Sequence, residues 1–256
     1  EIAYDPSISG QKRAPLPAPD VPAFSARRIV ANRARTELRE GAIVNYGFGI
    51  PDEIATIVAA RGEQHLYYQT IEHGTYGGRL LTGSLFGYAQ NASCMIDGPS
   101  QFDFYAGGGL DIAFLGFGQV DAAGNVNASK LGGMPVGPGG FIDIAQNARK
   151  VVFVGTFDAK GTRIKSGDGN LTIERHGDVR KFVQRVDQIT FSGAQAIRQR
   201  QQVLYVTERA VFRLTEDGLA FIEVAPGVDT QLDVMDRMDF SPVSDAPIRM
   251  DQTHFM

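Results

Sequence analysis

The chain is 256 residues long with 43 % apolar and 21 % charged residues, enough for one sizeable core, and its net charge of −4 lacks the basic footprint of a phosphate-backbone binder. Its single cysteine, Cys94, excludes an internal disulfide framework and makes a reducing, cytoplasmic setting the default. No apolar run nears the ~18 residues of a membrane span and no charged-then-apolar signal peptide opens the chain, so neither nucleic acid nor membrane is expected as a partner.

Residues 1–24 hold five prolines and little apolar periodicity, which reads as a Pro-rich arm or interdomain linker. The first residue is Glu1, not Met. Either the N-terminus is trimmed, or the chain begins inside a linker that another half precedes. A domain is expected over residues 25–256. Ser25 can cap a helix running through Ile29, Val30, Ala34 and Leu38 and stopping at Gly41. Ala42 to Tyr46 reads as a buried strand, Gly47-Phe48-Gly49 as a tight turn, and Pro51 as the start of a second helix that buries Ile54, Ile57 and Val58. Leu66 to Ile71 is the next strand. This βαβ order predicts a parallel pair.

Short apolar runs between glycines follow, with Asp111–Leu115 and Val151–Val154 the clearest strands. Leu171–Glu174 and Val179–Val183 flank a turn expected at His176-Gly177-Asp178. Val203–Thr207, Ala210–Leu214 and Leu219–Val224 are strand-like, the last two joined as a hairpin through Asp217-Gly218. The reading is one α/β domain with a mixed sheet, antiparallel toward the C-terminus.

Thirty glycines exceed the usual ~7 % and cluster, which signals tight turns or backbone approaching a ligand. Glu72 follows an apolar strand and precedes Gly74, Gly77 and Gly78. Ligands of open α/β sheets bind outside the carboxyl ends of strands, so Glu72 is placed as a site residue; a surface glutamate at a strand end is the alternative. Gly137-Pro138-Gly139-Gly140, ahead of Phe141–Ile144, could present N–H groups to an anion or remain a structural turn. Gly107-Gly108-Gly109 ahead of a strand is harder to explain by packing. Gly47-Phe48-Gly49 lacks the third glycine of a dinucleotide fingerprint, and neither a P-loop nor a G-x-S-x-G elbow occurs. His65, His73, His176 and His254 lack metal-ligand spacing, so no metal site is expected. His73 is a neighbour of Glu72, expected on the opposite face of the strand. Cys94 reads as a buried apolar thiol.

In this order the motifs resemble the second, β-type half of the family I CoA-transferases, the group of the acetate/propionate and 3-oxoacid enzymes. Glu40-Gly41-Ala42-Ile43-Val44-Asn45-Tyr46-Gly47-Phe48-Gly49-Ile50-Pro51 is similar to the family's first strand and turn. Glu72-His73-Gly74 sits at the E-x-G motif, with His73 where many relatives carry Asn. Phe102 to Asp111, Gly116 to Asp121, Gly124-Asn125-Val126-Asn127 and Gly137-x-Gly139-Gly140 continue the match, followed by Ile189-Thr190-Phe191, Tyr205 to Arg209 and Ala225-Pro226-Gly227.

The resemblance implies the NagB/RpiA/CoA-transferase type of fold, with an open mixed, largely parallel sheet and antiparallel strands toward the C-terminus. It implies Glu72 as a nucleophile that passes coenzyme A from a short-chain acyl-CoA to a small carboxylic acid through a glutamyl-CoA thioester. Gly139, Gly140, Phe141 and Asn45 are then expected at the oxyanion and substrate, and Gly47, Gly49 and Gly74 at the CoA moiety. Neither a metal nor a permanently bound cofactor is implied. An α-type half is the implied partner, in a homo-oligomer of the assembled unit, and the chain alone is expected to be inactive or nearly so. An acyl-CoA hydrolase of the same fold and a non-catalytic CoA- or partner-binding subunit remain alternatives.

Overall fold

The computed structural model describes residues 4–256, so the first three residues of the expected arm, Glu1 among them, lie outside the described residues. Ser25 starts helix α1 (Ala26–Arg35) by accepting the Arg28 N–H at 3.2 Å. The helix stops earlier than the spacing through Leu38 suggests: Thr36 caps it, and Leu38 packs on the core from the next turn. Arg33, buried in the last turn, donates to both oxygens of Glu223, at 2.7 and 2.6 Å, and ties the helix to a distant strand.

Ten strands share one sheet: β1 (Ile43–Tyr46), β2 (Tyr68–Ile71), β3 (Thr75–Tyr76), β4 (Cys94–Met95), β5 (Ile112–Gly116), β6 (Lys150–Val154), β7 (Gln202–Val206), β8 (Ala210–Thr215), β9 (Gly218–Val224) and β10 (Val243–Arg249). Their order is β10-β9-β8-β7-β6-β5-β1-β2-β3-β4. The βαβ unit forms as expected. Helix α2 (Ile50–Ala60), with Pro51 in its first turn, joins β1 to β2, which run parallel with Ile43 opposite Tyr68. The central strands β2, β1, β5, β6 and β7 are all parallel. Their runs are rich in apolar residues, continuously so in β5, because a parallel sheet is covered on both faces, and the polar exceptions in β1 and β2, Asn45, Gln69 and Thr70, are buried. Helices α1 and α2 pack on each other and on this sheet. Phe153 of β6 anchors an aromatic row, with ring centroids 5.8 Å from Phe141, 4.9 Å from Phe191 and 5.4 Å from Tyr205.

Antiparallel pairing follows toward the C-terminus, where β8 pairs with β7 and β9 with β8. It also occurs at the other edge, which the sequence reading did not foresee: β3 folds back on β2, and β4 on β3. The turn expected at His176-Gly177-Asp178 does separate two strands, Asn170–Arg175 and Val179–Arg180, but these do not pair with each other. Instead Arg163–Gly167 pairs with Asn170–Arg175 through Asp168-Gly169, both at positive φ (52° and 73°), a two-residue turn whose twist suits a hairpin. Val179–Arg180 pairs with Asp158–Ala159. Cys94 is a further correction: it lies on the edge strand β4 and is exposed, not buried.

Residues 5–17 run as a strap along a hairpin made of Arg79–Leu80 and Ala89–Gln90. Asn91 holds it on three bonds: its amide exchanges two with the Ala14 backbone (2.8 and 3.0 Å), and its N–H donates to the Ser7 carbonyl (2.8 Å). The Arg79 guanidinium donates to the Pro17 carbonyl at 2.5 Å. The described part of the arm is therefore anchored to the domain. The feature that positions the site is the strand order. After β1 the chain builds β2 on one side and later places β5 on the other. Such a reversal leaves a crevice at the carboxyl ends of the two diverging strands.

Candidate active site

A groove of about 420 Å³ occupies that crevice. Gly47 and Phe48 line it after β1, Leu115 to Gly118 at the end of β5, and Pro138 to Phe141 ahead of helix α4 (Phe141–Asn147). Glu72 lines it from the turn that follows β2. The glycines here differ in what surrounds them. A Cβ on Gly47 would meet Leu115 Cδ2 at 3.0 Å, whereas one on Gly116 would meet nothing within 4 Å and would occupy open space. Glu72 is half-buried, and its Oε2 is shielded from solvent with no hydrogen-bond partner among the described residues. A carboxylate left in that state is costly unless a ligand or a reaction uses it.

A buried polar chain lies beneath the groove. Asn45 Nδ2 donates to the Tyr105 hydroxyl at 3.1 Å. Thr70 Oγ1 donates to the Val44 carbonyl at 2.8 Å, so the 2.6 Å contact between Thr70 and Tyr105 is a donation from the tyrosine. Burial pushes the Tyr105 phenol up to about 12, and the nearby Glu72 charge adds to the rise, so the phenol keeps its proton. The Asn45 side-chain oxygen, Oδ1, is buried without a partner among the described residues.

The expected site residues separate into two groups. Glu72, Gly47, Gly139, Gly140 and Phe141 share the groove. Among the described residues the Gly139 and Gly140 N–H groups make no hydrogen bond, but the Phe141 N–H is already engaged by the Pro138 carbonyl at 3.1 Å. Asn45, Gly49 and Gly74 do not line the groove. Asn45 is fully buried below it. Gly49 is the residue before α2, where its φ of 96° suits glycine and its N–H meets Asp52 Oδ2 at 3.2 Å. Gly74 is demanded by the chain itself: at φ 95°, a Cβ there would fall 2.0 Å from the Ile96 carbonyl oxygen. Gly77 and Gly78 are likewise pressed against Ser93 and the Gln90 carbonyl, so these flanking glycines make room for protein rather than ligand.

The triple glycine ends helix α3 (Gly98–Phe104), with Gly108 at φ 87° and Gly109 against the Phe104 ring. Gly109 thus makes room for a ring and Gly108 for the turn, while a Cβ on Gly107 would meet nothing within 4 Å. The Gln119 to Asn127 stretch builds a tight turn, in which Asp121 Oδ1 accepts the N–H groups of Ala123 and Asn125. Sequence reasoning missed Phe48, Leu115, Phe117 and Leu131 as groove walls, and Thr70 and Tyr105 as the polar support. An aromatic set between Gly47 and Gly49 was the available signal for Phe48. Among the described residues, no three His, Cys, Asp or Glu side chains gather as a metal site, and no helix is long and apolar enough to cross a membrane.

No protein-family profile matches the chain. A caffeate CoA-transferase of Acetobacterium woodii is 43 % identical over 253 residues, covering 97 % of this chain and 48 % of that protein. The crystal structure of an acyl-CoA transferase, YdiF, from Escherichia coli O157:H7 superposes with a TM-score of 0.88 at 42 % identity, over 97 % of this chain and 46 % of that one. The β subunit of acetate CoA-transferase from Escherichia coli K12 is 30 % identical over 217 residues, which cover 80 % of this chain and 88 % of that subunit. The chain belongs to the family I CoA-transferases, as their β-type half. It spans about half the length of the first two relatives and nearly the whole of the separate β subunit. The chain has the fold of this family: a mixed sheet, parallel at its centre, with β3 and β4 folded back antiparallel at one edge and, toward the other, the antiparallel strand β8 followed by the parallel pair β9 and β10. The YdiF protein has also been solved as a thioester complex with CoA, and that structure matches with a TM-score of 0.86 at 43 % identity, over 91 % of this chain and 44 % of that one.

Proposed function

We propose that this chain supplies the nucleophile of a CoA-transferase, and that Glu72 passes coenzyme A between an acyl-CoA and a carboxylic acid. The observation that carries the reading is the shielded, unpartnered Glu72 Oε2 in a groove that also holds the free N–H groups of Gly139 and Gly140. A carboxylate is a weak nucleophile, but a thioester is a reactive electrophile. Glu72 attacks the thioester carbonyl and CoA leaves as the thiolate, giving a mixed acyl–glutamyl anhydride. The thiolate attacks the glutamyl carbonyl and expels the acid as its carboxylate, leaving glutamyl-CoA. A second carboxylate runs the two steps in reverse.

The Gly139 and Gly140 N–H groups are suited to stabilise the oxyanion of each step, a contribution of about 3 kcal/mol per donor. The Phe141 N–H is engaged and suits this role less. Asn45 acts from below, through Tyr105 and Thr70, by fixing the strand ends on which Gly47 and Glu72 stand.

In this reading residues 25–256 are the β-type catalytic half and residues 1–24 an arm. An α-type half covers the open groove, assembled units associate further, and the enzyme works in the cytoplasm. Of the relatives, one carries caffeate in its name and another acetate, so likeness alone does not choose the acid.

The test uses the complete transferase assembly that contains this chain. Incubation with propionyl-CoA and no acceptor is expected to leave a CoA-sized mass adduct on the peptide bearing Glu72. Glu72→Ala is expected to remove it and to lower turnover by on the order of 10⁴-fold or more. An adduct that survives this substitution refutes the proposal, and steady CoA release without acceptor identifies a hydrolase instead.

A further inference from the structure

We infer that the groove is built for planar, aryl-conjugated acyl groups, with Phe48, Phe86 and His73 as the selecting residues. The inference rests on the Glu72 reading and names the acyl class for the same site. Apart from Glu72 and glycine backbone, the groove walls are apolar, among them Leu115, Phe117, Leu131 and Ile144. Its volume is about 420 Å³, which the acyl group shares with the thioester end of coenzyme A.

The rim on the Glu72 side is aromatic. Phe48 lines the groove and is 66 % exposed, an unusual state for a phenylalanine next to a site. The Phe86 ring meets it edge-on, with centroids 5.5 Å apart and planes at 78°. His73, next to Glu72 in the chain, meets Phe86 at 6.1 Å, also at 78°. An edge-to-face contact holds two rings in place and takes up at most one face of a ring, leaving the opposite face free for stacking.

The set is also pinned. Thr75 Oγ1 donates to the Gly87 carbonyl at 2.7 Å. A Cβ on Gly87 would fall 2.5 Å from His73 Nδ1, so the imidazole lies against bare backbone. A Cβ on Gly49 or Gly116 would meet nothing, so the backbone beside Phe48 is open for a flat group. A ring conjugated to the thioester carbonyl would cover Phe48 while its carbonyl carbon lies at Glu72. An acetyl or propionyl group would leave the rim bare.

The experiment compares cinnamoyl-CoA with propionyl-CoA, each with acetate as acceptor, in the complete assembly. The expected kcat/KM for cinnamoyl-CoA equals or exceeds that for propionyl-CoA. One aromatic contact is worth about two- to tenfold, so Phe48→Ala and Phe86→Ala are each expected to lower the cinnamoyl/propionyl ratio by up to about tenfold. The CoA adduct formed from propionyl-CoA in the same variants reports that they are folded and carry a working Glu72. An unchanged ratio in both variants overturns the inference, because the rim then serves packing or a partner contact. Failure of cinnamoyl-CoA to form the adduct while propionyl-CoA forms it also overturns the inference and leaves the Glu72 reading standing. No adduct from either thioester overturns both.

Discussion

Two glutamates occupy loops beyond the sheet and share almost nothing else. Glu208, after β7, is fully buried, and both its oxygens are used: Oε1 accepts Arg209 Nε at 2.7 Å, and Oε2 accepts the Phe157 N–H at 2.8 Å. Arg209 is buried with it, reaches Asp158 Oδ1 at 3.4 Å and lies over the Phe157 ring. Burial, and the charges of Arg209 and Arg237, lower the His176 pKa, which suits a neutral ring beside that arginine. Glu72 is less buried yet keeps one oxygen shielded and unpartnered. A carboxylate whose lone pairs are all committed fixes structure. One that is desolvated and uncommitted is available to react.

This contrast breaks if the two glutamates respond alike to removal. Glu72→Ala is expected to abolish the adduct while the urea midpoint moves by less than about 1 kcal/mol in free energy. Glu208→Ala leaves Arg209 buried without its main counter-charge, and is expected to cost about 3–5 kcal/mol. If Glu72→Ala unfolds the protein as readily as Glu208→Ala, then Glu72 is a structural carboxylate and the proposed nucleophile is wrong.

The glycines sharpen the same comparison. Gly74 stands against the Ile96 carbonyl at positive φ, so Gly74→Ala combines backbone strain with a collision and is expected to cost about 2–5 kcal/mol. Gly116 faces open groove, so Gly116→Ala is expected to leave stability within about 0.5 kcal/mol while raising the KM for acyl-CoA. Thermal unfolding and steady-state kinetics on both variants decide this. A loss of stability in Gly116→Ala equal to that in Gly74→Ala would show that the groove floor is packed rather than open.

These glycines also mark how far the sequence could be read. The parallel centre of the sheet was legible because its runs are mostly apolar and spaced by helix-starting signals such as Ser25 and Pro51. Glu72 was legible from its place at a strand end. Gly47, Gly74 and Gly109 could not be told apart from Gly116, because all four look like ligand-approach glycines until their neighbours are known. Those neighbours, Leu115, Ile96 and the Phe104 ring, are brought in by the folded chain. Strands β3 and β4 escaped notice because two residues carry no periodicity. Tyr105 and Thr70 escaped because a buried hydrogen-bond chain between two strands and a helix end leaves no local pattern.

Lys181 sits between the two regions and tests where one ends. Its ammonium lies 3.9 Å from the centroid of the Phe117 ring, a groove wall, and a Cβ on Gly155 would fall 2.7 Å from it. Burial pushes its pKa from an ordinary 10.5 down to about 8; Glu208 and Asp158 pull the other way and offset only part of this. The folded state thus holds the charged amine less readily than the unfolded chain does. The difference amounts to about 3 kcal/mol of destabilisation, fully present below pH 8 and fading as pH rises to 10.5. Lys181→Met keeps the bulk and removes the charge. It is expected to raise stability by about 1–3 kcal/mol at pH 7, with the gain over the parent protein shrinking toward zero near pH 10.5. Urea unfolding of both proteins at pH 7 and pH 10 measures that difference, and titration of shared groups cancels in it. A variant less stable than the parent at pH 7 would mean that the ring contact and the two carboxylates outweigh burial. Lys181 would then belong with Glu208 and Arg209, as a committed charge that happens to back the groove.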